Sequence, residues 1–170
     1  IELIAAVPPS GRTQPALPYD SARGQTVMFG GRGDSSVRLG DTWEFNGSDW
    51  ASVATAVAPT ARDGHAIAYD SVSARVVLFG GLGNGSVFHG DTWEYDGANW
   101  LRVVMAAAPP ARLDHALAYD RGRTRTVLFG GVGTSAFLAD TWEFDGAAWS
   151  LVSTPRAPPA RFGHALTYDS

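Results

Sequence analysis

The chain repeats itself at long period. "GDTWEFNGSDW" at 40–50 returns as "GDTWEYDGANW" at 90–100 and as "ADTWEFDGAAW" at 139–149. Trp43, Trp93 and Trp142 stand 50 and 49 residues apart, and Trp50, Trp100 and Trp149 keep the same steps. A double glycine closes at Gly31, Gly81 and Gly131, and His65, His115 and His164 recur inside "ARDGHAIAYD", "ARLDHALAYD" and "ARFGHALTYD". All six tryptophans are repeat positions. Copies of one short unit stack, because each lends its neighbour the apolar surface that neither can bury alone.

Each unit reads as four short strands. The first is "HALAYD"; the second, "RTVLFGG", ends on two glycines; the third, "DTWEYD", sets Trp93 and Tyr95 on one face and Thr92 and Glu94 on the other. The fourth starts at Trp100 and runs through "LRVV". Asn46-Gly47, Asp96-Gly97 and Asp145-Gly146 stand between the third and fourth strands and predict tight type I′ hairpins. Pro15 and Pro18 in the first unit predict an edge strand there, since proline donates no ladder hydrogen bond. No stretch carries helical periodicity.

The repeated side chains are building material before they are chemistry. A buried aromatic ring removes about 150–250 Å² from water, roughly 4–6 kcal/mol of gross stabilisation. Arg12, Arg62, Arg112 and Arg161 recur ahead of the first strand, and Glu44, Glu94 and Glu143 on the third, so an Arg–Glu bridge within or between units is expected. His65, His115 and His164 are expected to be hydrogen-bonded structural residues, with Asp63 and Asp114 able to form acid–histidine pairs. Equivalent positions on sheets roughly 10 Å apart do not chelate a metal. No metal, cofactor or catalytic residue is therefore expected.

Composition closes off other classes. The 170 residues carry a net charge of −4 and 45% hydrophobic residues, with no clustered basic face for nucleic acid and no apolar run of membrane-spanning length. Cysteine is absent, which removes disulfides and thiolate chemistry. Arg32-Gly33-Asp34 and the sequons at Asn46 and Asn84 are short enough to arise by chance. "GGLGNG" precedes a strand rather than the helix a phosphate loop needs.

The double glycine, the Trp/Tyr strand and the second tryptophan after a tight turn together resemble the kelch repeat, in the variety found in bacterial kelch propellers. The resemblance implies an all-β fold: a kelch-type β-propeller fragment of about three four-stranded antiparallel blades plus a strand at each end, not a closed ring. Residues 1–7 are expected to be a remnant of a preceding blade. Blades 1, 2 and 3 then span 12–58, 62–108 and 112–157, and 161–170 is the first strand of the next. Such an arc is expected to belong to a longer propeller of six or seven blades, or to complete its ring by self-association through the exposed terminal faces.

The same resemblance implies a non-catalytic module binding a protein or glycan, with a secreted or cell-envelope setting. The alternative it implies is the scaffold of a secreted carbohydrate-active enzyme (oxidase, epimerase or lyase) whose catalytic residues lie largely elsewhere; His89, with no repeat counterpart, is the one candidate here. Function is expected where units disagree, in the second-to-third-strand loops 32–40, 82–90 and 132–139. Arg32, Asp34, Arg38, Asn84, Phe88, His89 and Phe137 are the candidate contact residues.

Overall fold

A computed structural model describes residues 8–169. The remnant strand expected at 1–7 lies outside the described residues. Blade 1 comprises Tyr19–Asp20, Gln25–Arg32, Arg38–Phe45 and Trp50–Val53, joined in that order into an antiparallel sheet. Blade 2 comprises Ala66–Asp70, Arg75–Phe79, Thr92–Tyr95 and Trp100–Val103. Blade 3 comprises Ala116–Asp120, Arg125–Phe129, Thr141–Phe144 and Trp149–Val152. Among the described residues there is no α-helix and no closed sheet. The first strand of blade 1 is an edge of its sheet, as are those of blades 2 and 3, and it begins only after Pro15 and Pro18. It is cut to two residues, against five in its sisters.

Blade 2 shows why both faces of a unit are apolar. Val76, Leu78, Trp93, Tyr95 and Trp100 pack on Val27 and Phe29 of blade 1, whereas Val77 and Phe79 pack on Leu117, Leu128, Phe144 and Trp149 of blade 3. Alternation along Arg75–Phe79 sends successive side chains to opposite neighbours. The indoles also lock blades by polar contact. Trp100 Nε1 donates to Thr42 Oγ1 at 3.0 Å, and Trp149 Nε1 to Thr92 Oγ1 at 2.9 Å, each in the preceding blade.

Three expectations need correction. The recurrent arginines hold aspartates, not glutamates: Arg12, Arg62 and Arg112 form two-pronged pairs with Asp41, Asp91 and Asp140. Each also donates to the carbonyl of Gly30, Gly80 or Gly130 in its own blade. The same aspartates accept from Trp43, Trp93 and Trp142. A carboxylate two residues before an indole lies within reach of both partners, and the guanidinium fork matches its two oxygens. Two of the three glutamates are met by other arginines, Arg23 on Glu44 and Arg123 on Glu143.

The histidines are structural but not hydrogen-bonded. Neither ring nitrogen of His65, His115 or His164 has a hydrogen-bond partner. The His65 ring meets the edge of Phe29 at 5.5 Å and lies over Gly30, where an added Cβ would approach its Cε1 to 3.2 Å. Asp63 and Asp114 turn instead to Arg38 and Gln14.

The third-to-fourth hairpins are not type I′. Only the glycines, Gly47, Gly97 and Gly146, have positive φ. The preceding Asn46, Asp96 and Asp145 cap a four-residue loop, each Oδ1 accepting from the backbone N–H groups two and three residues ahead.

Candidate functional site

Antiparallel order puts the second-to-third-strand loops and the links between blades on one rim. There the loop of each unit is clasped by short ribbons: Arg62–Asp63 pairs with Leu82–Gly83, which pairs with Val87–Phe88, and Arg112–Leu113 pairs with Val132–Gly133. Asp34 and Asn84 each open a single 3-10 turn at the loop tip and are exposed.

Arg32 and Arg38 face each other across blade 1 and converge on one carboxylate of blade 2. Arg38 Nε donates to Asp63 Oδ1 at 3.2 Å, and Arg32 Nε stands 3.5 Å from Asp63 Oδ2. Arg32 also donates to Gln14 Oε1, and Gln14 Nε2 donates to Asp114 Oδ1 at 3.0 Å, two blades away. That bond crosses Gly64, whose Cβ, if present, would come within 2.9 Å of Asp114 Oδ1. Gln14 and Asp114 both have φ of 53°, a left-handed conformation that costs a non-glycine residue about 1–2 kcal/mol. Burial raises the Asp114 carboxyl above its usual range, and the charge of Asp63 adds to this.

Asn84 and His89 line one cleft. With Thr60, Ala61, Gly83 and Val87 they enclose a cavity of about 310 Å³. The His89 backbone ties the loop to its own blade and to the next, donating to Gly81 O and accepting from Arg112 N. Its ring reaches over Gly83, which has no Cβ to obstruct it, and Nε2 lies 3.5 Å from Thr60 Oγ1. Partial burial lowers the His89 pKa, and the Arg62 charge lowers it further.

Phe137 stacks on Phe162, with ring centroids 5.0 Å apart and planes at 20°, and both rings remain more than half exposed. Arg38 and Phe137 hold the same repeat slot, as do Asp63 and Phe162. One structural position thus carries an ion pair between blades 1 and 2 and a phenyl stack beyond blade 3. Phe88, in the same slot of blade 2, is half-buried. The candidate residues do not form one pocket. They fall into an arginine cluster, a polar cleft and an aromatic pair along one rim.

Gln14, Thr60, Asp63, Asp114 and Phe162 complete these patches and were not singled out as contact residues from the sequence. The signal for four of them was present: the two positions after each recurrent arginine read Thr-Gln, Asp-Gly, Leu-Asp and Phe-Gly. Disagreement between units marks the start of the first strand as well as the loops.

Stacked four-stranded blades, glycine-hinged second strands and a unit-specific rim define a propeller-type interaction scaffold. The KLHDC2/KLHL20/DRC7 Kelch-repeats domain model matches residues 4–169. The chain belongs to the kelch-repeat family. No curated protein matches it.

Proposed function

We propose that this chain is a non-catalytic scaffold that binds a segment of another protein across its loop rim. The observation that carries this reading is convergence. Side chains that differ from unit to unit gather on one rim of an otherwise repetitive framework, and loops held by a rigid scaffold are the usual carriers of recognition. Arg32 and the Phe137–Phe162 stack supply the residue types that dominate binding energy, arginine and aromatic rings. The cleft of Asn84 and His89 supplies hydrogen-bonding groups between them.

The test is capture on immobilised chain, comparing the parent with Arg32→Ala, Asn84→Ala and Phe137→Ala. Each exposed anchor is expected to weaken a specific partner by about tenfold, as loss of a hot-spot side chain does, while tryptophan fluorescence of the folded chain stays unchanged. A capture profile indifferent to all three substitutions refutes the rim as the site. A profile abolished by deglycosylating the captured material replaces the protein ligand with a glycan.

A further inference from the structure

The face opposite the rim carries a second repeated ion-pair motif, and one of its three copies lacks the arginine. In blade 1, Arg23 is seated between two carboxylates: Nε donates to Asp20 Oδ2 at 2.6 Å and an Nη to Glu44 Oε1 at 2.5 Å. In blade 3, Arg123 sits the same way between Asp120 and Glu143. The backbone is common to all three units. Asp20, Asp70 and Asp120 each turn Oδ1 onto the N–H three residues ahead, that of Arg23, Ser73 and Arg123. The strand register is common too, with Val27 opposite Glu44, Val77 opposite Glu94 and Val127 opposite Glu143.

Blade 2 keeps both carboxylates and has Ser73 in place of the arginine. Arg75, the nearest cation on that blade, is turned to Asp96 at 3.3 Å. Glu94 makes no hydrogen bond or ion pair among the described residues. Tyr95 of blade 2 donates its hydroxyl to Glu44 at 2.9 Å, whereas the same repeat slot of blade 3 holds Phe144, which has no hydroxyl to give Glu94. Burial raises the Glu94 carboxyl more than Arg75 lowers it, and the Asp70 carboxylate pushes the same way. Tyr69, next to Asp70 in the chain, lines an open cavity of about 300 Å³ together with Tyr19, Tyr119 and Tyr168.

We propose that Asp70 and Glu94 form a receptor for the guanidinium of an arginine supplied by a partner polypeptide, in the geometry that Arg23 and Arg123 take within their own blades. The two filled copies define the ligand. The filled copies use two separate nitrogens, Nε on the first-strand aspartate and Nη on the third-strand glutamate, and a guanidinium presents both in one rigid plane. The tyrosine-lined opening gives the rest of the partner's arginine a surface to lie on, and ring faces attract a cation. The site lies away from the loop rim and does not rest on the reading proposed for it.

The probe is the tripeptide acetyl-Gly-Arg-Gly-amide, titrated into the chain while the backbone amide resonances of Val72, Ser73 and Glu94 are followed by NMR, with the citrulline tripeptide as the uncharged isostere. Saturable shifts at these amides with the arginine peptide, and none with citrulline, are expected. Glu94→Gln should weaken binding by about tenfold or more, as removal of a charge-assisted hydrogen bond does. Ser73→Arg should abolish it by filling the receptor from within, and should raise the unfolding midpoint. Equal shifts with citrulline overturn the proposal. So does an undiminished response in Ser73→Arg or in Glu94→Gln.

Discussion

Acid should destabilise this protein well before its arginine-paired aspartates titrate. His65 and His115 are buried, and their pKa values fall from 6.5 to about 3. Burial is the main cause. The Arg62 charge adds to it for His65 and the Arg112 charge for His115. The Phe29 carbonyl pulls the His65 ring the other way, from outside hydrogen-bond geometry. Between these limits the unfolded chain binds protons that the folded chain refuses, so stability is full above the unfolded value near 6.5 and declines as pH falls toward the folded value. Each histidine contributes a slope of about 1.4 kcal/mol per pH unit once well below 6.5. Over the two units from pH 6.5 to 4.5 the pair therefore removes about 5 kcal/mol, comparable with the whole stability of a small domain. His164 and His89 shift in the same direction and add to the slope. Asp91, held down to about 2 by its Arg62 pair acting against burial, titrates only below this window, whereas the raised carboxyls of Asp114 and Glu94 work against the slope. Urea unfolding followed by tryptophan fluorescence at pH 7, 6, 5 and 4.5 measures the slope. His65→Leu with His115→Leu should flatten it by about two protons. A parent whose stability is level across this range, or a double variant with the parent's slope, refutes the argument.

Two further outcomes test the framework. Arg112→Ala leaves Asp140 and the Gly130 carbonyl without their buried partner and should cost about 3–5 kcal/mol in urea unfolding; a loss below 1 kcal/mol, the ~0–1 kcal/mol typical of surface pairs, would show the clamp to be solvated. Gly80→Ala places a Cβ 2.6 Å from the Arg112 carbonyl at a φ of +68°. It should cost more than the about 1–2 kcal/mol of left-handed strain alone and lower the thermal midpoint more than Gly85→Ala, which shares the positive φ but has nothing within 4 Å.

The sequence was most informative where the units agree. Trp100 and Trp149, equal in position, were legible as packing groups, and the alternation around Val77 and Phe79 already implied two buried faces. Partner choice among repeated charges was less legible. Arg62 lies 29 residues from Asp91 and 32 from Glu94, and only the backbone path decides which carboxylate it meets. The hairpins misled because Asn-Gly fits two loops. Asn46 uses its side-chain oxygen to close the longer one instead of adopting positive φ itself. Along the rim, attention to loops alone missed the inner-strand starts, so Asp63 and Phe162, the partners of Arg38 and Phe137, went unmarked.

The shared slot of Arg38 and Phe137 has a consequence for how the units are arranged. The Trp–Thr locks and the glycine–histidine seats are the same at each interface, so by themselves they would let any unit sit beside any other. The rim slot does not allow it. Exchanging the first and third units would set a guanidinium against Phe162 and a phenyl ring against the Asp63 carboxylate, stripping both charges of their partners. A scaffold assembled from interchangeable parts thereby carries its own seating plan, written in one side chain per junction.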